Sequence, residues 1–110
     1  GQERFRDAQR ACDEALKIRE TTLGHDHPDT AESLHNQGVI YETLELVDRA
    51  RTSYERALTI RETALGNEHP DTITTVHSLA RLYEEEGLDE KADAMYQRMY
   101  DAYGEEGQEE

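Results

Sequence analysis

Apolar and small residues recur three and four positions apart along nearly the whole chain, the spacing of one face of an α-helix. From about Glu3 to Leu23 the stripe is Ala8, Cys12, Ala15 and Arg19, widened by Ala11, Leu16 and Ile18. From Pro28 to about Leu44 it is Ala31, Leu34, Gly38, Tyr41 and Leu44. After a short turn from Glu45 to Val47, a third stripe holds Ala50, Tyr54, Ala57, Leu58 and Arg61 and ends near Leu65. A fourth, from Pro70, holds Ile73, Val76, Ala80 and Tyr83, and a fifth, after Gly87, holds Ala92, Tyr96, Met99 and Tyr103. Five helices are predicted, and no stretch alternates with the period of two that a strand requires.

Stops and starts punctuate these stripes. Gly24 and Gly66 stand where a helix can end without a Cβ penalty, and Gly87 breaks the fourth stripe. Pro28 and Pro70 suit the first helical position, where the missing N–H costs nothing, and each bars helix from the histidine before it. Asp29 places a carboxylate in a first turn, where the helix dipole favours it. Asp48 and Asp89 read as N-caps.

The punctuation is periodic. Leu23-Gly24-His25-Asp26-His27-Pro28-Asp29-Thr30 returns as Leu65-Gly66-Asn67-Glu68-His69-Pro70-Asp71-Thr72, an offset of 42 residues. Ala8, Ala50 and Ala92 share one position of that period, and Cys12, Tyr54 and Tyr96 share another. Gly38 and Ala80 are the small residues of the other helix in each pair, beside Tyr41 and Tyr83. Each helix pair is too small to bury a core alone, so the pairs must stack.

These residues carry a resemblance. A small residue followed by Tyr on one helix, then Ala, aromatic, Ala on the next, resembles the tetratricopeptide repeat (TPR). The long period, with Ala15-Leu16-Lys17-Ile18-Arg19-Glu20-Thr21 and Ala57-Leu58-Thr59-Ile60-Arg61-Glu62-Thr63, is similar to the long-helix variant of kinesin light chains and nephrocystin-like proteins. The same variant occurs in sensor arrays of NLR-like STAND ATPases. The resemblance implies an all-α fold, a right-handed solenoid of about five antiparallel helices over residues 1–104. The expected units are a half-repeat at 1–24, a full repeat at 28–66 and a terminal repeat at 70–104. Residues 105–110 are expected to form an acidic disordered tail.

It also implies a concave groove lined by the first helix of each pair. By position, that groove shows Glu32, His35, Asn36, Val39, Glu42 and Thr43, then Thr74, His77, Ser78, Arg81, Glu84 and Glu85. The residues expected to contact a peptide are Glu32, His35, Asn36, Val39, Glu42, His77, Arg81 and Glu84. Kinesin light chains read Leu-Asn-Asn-Leu-Ala in this helix; here the helices read Leu34-His35-Asn36-Gln37-Gly38 and Val76-His77-Ser78-Leu79-Ala80. His35 and His77 are equivalent and are expected to face the groove, where a near-neutral pKa makes them pH-sensitive. Gln37 stands at an apolar position and predicts looser packing in its repeat.

Charge narrows the partner. There are 12 basic and 26 acidic residues, a net charge of −14. A polyanion wants a basic face, so nucleic acid is excluded as a partner, and so is an anionic membrane surface. The expected partner is a protein or peptide segment, basic where it meets the groove carboxylates. Cys12 is the only cysteine, so no internal disulfide forms, and a cytoplasmic location fits. Cys12 fills a tyrosine slot and is expected in the core. The start at Gly1, already inside a helical pattern, suggests a fragment of a longer chain.

Other chemistry is weighed and set aside. His25, His27 and Asp29 together suggest a metal site, but the second copy has Asn67 for His25, and helix-start chemistry explains what persists. No metal or cofactor is expected. Neither a nucleophile–base pair nor a glycine-rich phosphate loop accompanies the carboxylates of Glu84-Glu85-Glu86, so the chain is read as non-catalytic. The Met and Tyr residues of the fifth helix read as a drifted terminal repeat or as an oligomer contact, and the open face of the first helix as a surface for self-association. The leading expectation is a protein-interaction module; the alternatives are a sensor or scaffold segment of an NLR-like STAND ATPase, or a self-associating structural fragment.

Overall fold

A computed structural model describes the backbone of residues 2–108 and the side chains of residues 3–102. The helices are α1 (Gln2–Leu23), α2 (Pro28–Thr43), α3 (Val47–Leu65), α4 (Pro70–Glu85) and α5 (Asp89–Gln108). Each packs on its chain neighbours, so α2 lies between α1 and α3, and α4 between α3 and α5. The result is an all-α solenoid with extents of 46 × 33 × 21 Å, and among the described residues there is no strand. No described helix is long and apolar enough to cross a membrane.

Two clusters form the core, one per stacked pair. Leu16 of α1, Ala31 and Leu34 of α2, and Ala57 and Ile60 of α3 make the first. Ala50, Tyr54 and Leu58 of α3, Val76, Leu79, Leu82 and Tyr83 of α4, and Ala92 of α5 make the second. α3 contributes to both because opposite sides of it face α2 and α4. Fully buried Ala31, Ala50, Ala57 and Ala80 let backbones approach, and Tyr54 fills the space they leave.

The joints are built by repeated chemistry. His27 and His69 are the N-caps of α2 and α4; each Nδ1 accepts from the backbone N–H two residues on, at 3.0 Å. The persistent histidine therefore serves as a cap, and Nδ1 of His27 is not open to a metal. His25, the one that does not persist, pairs with Glu20. Arg19 Nη1 donates to the Asp29 carbonyl (2.7 Å) and Ser33 Oγ (2.9 Å). Arg61 repeats this with the Asp71 carbonyl (3.1 Å) and Thr75 Oγ1 (2.9 Å). Thr30 Oγ1 donates to the Gly24 carbonyl at 2.8 Å, whereas the buried Thr72 hydroxyl in the second joint has no hydrogen-bond partner among the described residues, and nothing in its surroundings explains the difference.

Three expectations are corrected. Asp48 and Asp89 are not caps: α3 and α5 begin at Val47 and Asp89, so both carboxylates lie inside the first turn, and Asp48 pairs with Arg51 instead. α5 does not end at Gly104 but reaches Gln108, because a glycine in helical conformation only weakens a helix. Glu109 and Glu110 of the expected tail, and the side chain of Tyr103, lie outside the described residues. Cys12 is half-buried rather than in the core; burial and Asp13 push its thiol pKa up.

Gln37 does not loosen its repeat. Its amide donates to Asp13 and its oxygen accepts from Ser53 at 2.9 Å. One period later Leu79 and Met95 take the places of Gln37 and Ser53 within the second core. A hydrogen-bonded polar pair thus substitutes for an apolar pair, which satisfies the buried amide.

The turn after α2 carries strain. Leu46 N–H donates to the Tyr41 carbonyl (2.8 Å) and Glu45 N–H to that of Glu42 (2.9 Å), a Schellman arrangement. It demands the left-handed conformation, and Glu45 adopts it with φ of 63°. The equivalent residue is Gly87, at φ 79°. A side chain there costs about 1–2 kcal/mol. Replacing Glu45 with glycine is expected to stabilise the chain by about 0.5–1 kcal/mol after the extra unfolded-state entropy is subtracted. Thermal unfolding should shift upward by roughly 3 °C; an unchanged or lower midpoint would contradict the strain.

Candidate functional site

α2 and α4 run side by side and share one surface. Two side-chain pairs join them, and Tyr54 of α3 braces both. Arg81 of α4 grips Glu42 of α2 with both terminal nitrogens, Nη1 to Oε2 at 2.7 Å and Nη2 to Oε1 at 2.8 Å. Tyr54 of α3 donates its hydroxyl to Glu42 Oε1 at 2.7 Å. His35 Nδ1 lies 3.2 Å from Thr75 Oγ1, and the His35 ring leans on Tyr54 with centroids 5.1 Å apart.

The electrostatics follow from this geometry. Burial alone would raise the Glu42 pKa, but the hydrogen bonds from Arg81 and Tyr54 outweigh it and hold the carboxyl below its ordinary range. Its hydrogen bond to Glu42 raises the Arg81 pKa. Burial, then Glu42, pushes the Tyr54 phenol up. His35 is pushed down to about 4, by burial first and the Arg61 charge second, against smaller opposing effects of Glu42 and Asp71. The ring is neutral at physiological pH. Thr75 Oγ1 accepts from Arg61, and its own proton has two acceptors in reach, His35 Nδ1 at 3.2 Å and the Asp71 carbonyl at 3.4 Å.

The eight residues expected to contact a peptide therefore separate into two groups. Glu32, Asn36, Val39, His77 and Glu84 are exposed on α2 and α4. Glu32 is 3.4 Å from Arg19, the longest reach of that guanidinium. His35, Glu42 and Arg81 are instead tied to one another's helices. His35 and His77 are not equivalent in environment, although they share a position in the repeat: α4 supplies Thr75 to cover His35, while His77 is open. Glu42 is likewise covered by Arg81, while its counterpart Glu84 is exposed.

Tyr54 and Thr75 were not among the residues picked from the sequence. Tyr54 belongs to the second helix of its pair and reads as core, which it is at 0% exposure. Its signal was the hydroxyl: a buried tyrosine needs a partner for its O–H, and a carboxylate on the facing helix is the strongest one available. Arg81 reads as a groove residue because its main partner, Glu42, is 39 residues away in sequence; Glu85, four residues on, adds a longer contact at 3.4 Å.

Two open cavities flank Gln37 and Tyr41 on the opposite side of α2, between α1 and α3. One, of about 360 Å³, is lined by Asp13, Leu16, Lys17, Glu20 and His25; the other, of about 340 Å³, by Asp48, Arg49, Ser53 and Arg56. Their walls mix both charge signs and single out no ligand.

The chain matches the tetratricopeptide repeat model twice, over residues 1–63 and 44–105, and it belongs to that family. No curated protein matches it. Among solved structures, the kinesin light chain-like protein of Podosopora anserina with nearly identical TPR-like repeats is 24% identical, with a TM-score of 0.83 over 94% of this chain and 50% of that one. BtubC (BKLC) from P. vanneervenii is 23% identical, with a TM-score of 0.80 over 87% of this chain and 38% of that one. At that identity the likeness is one of fold, and the chain spans half or less of the length of these neighbours. Tetratricopeptide repeats are generally protein-interaction modules that bind proteins or peptides, and the fold is typically non-catalytic.

Proposed function

We propose that the shared surface of α2 and α4 is the concave groove of this module and holds a basic peptide or protein segment. The observation that supports this is the division of labour just described. Glu42, Arg81, His35 and Thr75 fix the two helices, and the exposed residues between them have no packing role. Those residues are acidic or hydrogen-bonding: Glu32, Asn36, Thr43, Thr74, His77, Glu84 and Glu85. Carboxylates steer a cationic segment and favour its arrival, while amide, hydroxyl and imidazole groups set its register. Glu42 and Arg81 neutralise each other, and Glu32 and Glu85 reach Arg19 and Arg81 only at 3.4 Å each, so the steering falls to Glu84 first, with Glu85 beside it and Glu32 at the other end of the surface.

The test is fluorescence anisotropy against a library of Lys/Arg-bearing peptides at low and high salt. Binding is expected to weaken as salt rises. Reversing Glu32 or Glu84 to Lys is expected to weaken it by roughly threefold to tenfold each, the range of rim charges. Folded protein that binds no basic peptide, or binds one without regard to Glu32 and Glu84, would sink the proposal.

A further inference from the structure

Two hairpins of this chain dock through joints of the same design. The α2–α3 hairpin sits on α1, and the α4–α5 hairpin sits on α3. Arg19 of α1 grips the Asp29 carbonyl and Ser33 Oγ; Arg61 of α3 grips the Asp71 carbonyl and Thr75 Oγ1. Either arginine suits either hairpin, because both hairpins offer a carbonyl and a hydroxyl at these places. Loop-closure entropy grows slowly with length, so connectivity alone does not keep α4 away from α1 while the chain folds. Misassembly is a characteristic failure of repeat proteins.

One buried layer does distinguish the hairpins. Gln37 of α2 donates its amide to Asp13 of α1, and Ser53 of α3 donates to Gln37 Oε1 at 2.9 Å. Gln37 and Ser53 are 8% and 4% exposed. One period later the three positions hold Glu55, Leu79 and Met95. Leu79 and Met95 belong to the second core, and Glu55 accepts from the Tyr83 hydroxyl at 2.6 Å instead.

We propose that Asp13, Gln37 and Ser53 form an order lock, which admits the α2–α3 hairpin to α1 and refuses the α4–α5 hairpin. In the refused arrangement Leu79 would lie where Gln37 belongs, and Asp13 would lose its amide donor. Asp13 is also one methylene shorter than Glu55, so the Tyr83 hydroxyl does not replace that donor. A buried polar group left without its partner shifts an equilibrium by about fivefold to a hundredfold, and half-buried Asp13 belongs at the low end. Stability does not call for the layer, since exchanging all partners for apolar groups of similar shape is nearly neutral. What the layer adds is a choice between two otherwise similar docking partners. It lies on the side of α2 away from the proposed groove, so it works independently of peptide binding.

The test is refolding of the full 110-residue chain from denaturant, followed by circular dichroism. Unfolding for about a second, short against proline isomerisation, keeps Pro28 and Pro70 as they are. Asp13→Ala, Gln37→Leu and Ser53→Met together remove the lock. This triple variant is expected to unfold at the parent's denaturant midpoint or above it. It is also expected to refold with a larger slow phase, from molecules that must undo the wrong docking. Fivefold discrimination sends about a sixth of molecules the wrong way and no discrimination about half, so the slow amplitude should rise about threefold. Leu79→Gln with Met95→Ser keeps the first layer and gives the second hairpin the same amide and hydroxyl; it is expected to raise the slow amplitude similarly. Slow amplitudes equal to the parent's in either variant would overturn the lock. So would a triple variant that unfolds at lower denaturant, because the layer would then serve stability rather than order.

Discussion

Gly38→Ala is expected to destabilise the protein by about 1–3 kcal/mol, although alanine is the better helix former by about 1 kcal/mol. A Cβ at position 38 would lie 2.6 Å from Tyr54 Cε1, 2.7 Å from Cδ1 and 3.0 Å from Cζ. The ring cannot step aside. It is fully buried, its hydroxyl is held by Glu42, and His35 packs on it. Displacing Tyr54 would therefore also strain the contact through which α3 orients the Glu42–Arg81 pair. Chemical denaturation monitored by circular dichroism reads the effect, and a variant as stable as the parent would refute the close approach. The counterpart of Gly38 is Ala80, which is fully buried, and the counterpart of Tyr54 is Tyr96, which is only partly buried.

The second large effect is acid lability. The folded-state pKa of His35 is about 4, against 6.5 for the free side chain. Below pH 6.5 the unfolded chain takes up a proton that the folded chain refuses, so stability falls as pH falls. The loss begins near pH 6.5 and is complete below pH 4. A shift of this size corresponds to at most about 3 kcal/mol, and less once solvent screening of a half-buried ring is included. Burial sets the direction; of the charges facing the ring, Arg61 also opposes protonation, and Glu42 and Asp71 favour it. Carboxylates also titrate in this range, so the measurement is a difference. Stability is measured from pH 7 to pH 4 for the parent and for His35→Gln, and the parent is expected to lose about 1–3 kcal/mol more. Parallel curves would show that the ring titrates normally.

These two cases mark how far local sequence reasoning reaches. Helix starts at Pro28 and Pro70 and stops at Gly24 and Gly66 were legible because they depend on one residue's own backbone freedom. The stacked architecture was legible because a 42-residue period repeats its apolar stripe. The strained Glu45 was in principle legible too, since Gly87 stands at the same position one period later. Asp48 and Asp89 were misread as caps because a carboxylate inside the first turn gives the same sequence signal as one just before it.

The candidate site was legible only in part. The resemblance placed Glu32, Asn36, Val39, His77 and Glu84 on the outward face of α2 and α4, and all five are exposed. It could not separate His35 from His77, or Glu42 from Glu84, because equivalent positions look identical in sequence. The helices beside them do not: α4 covers α2 at these points, and the described chain supplies no such helix to α4. Sequence alone determined the helices, their joints and the repeat, since each rests on backbone conformation and on which face of a helix is apolar. Tertiary structure decided which charges are spent and which are free. The Glu42–Arg81 and His35–Thr75 contacts join residues 39 and 40 apart, set by how far side chains reach between packed helices rather than by the 42-residue period.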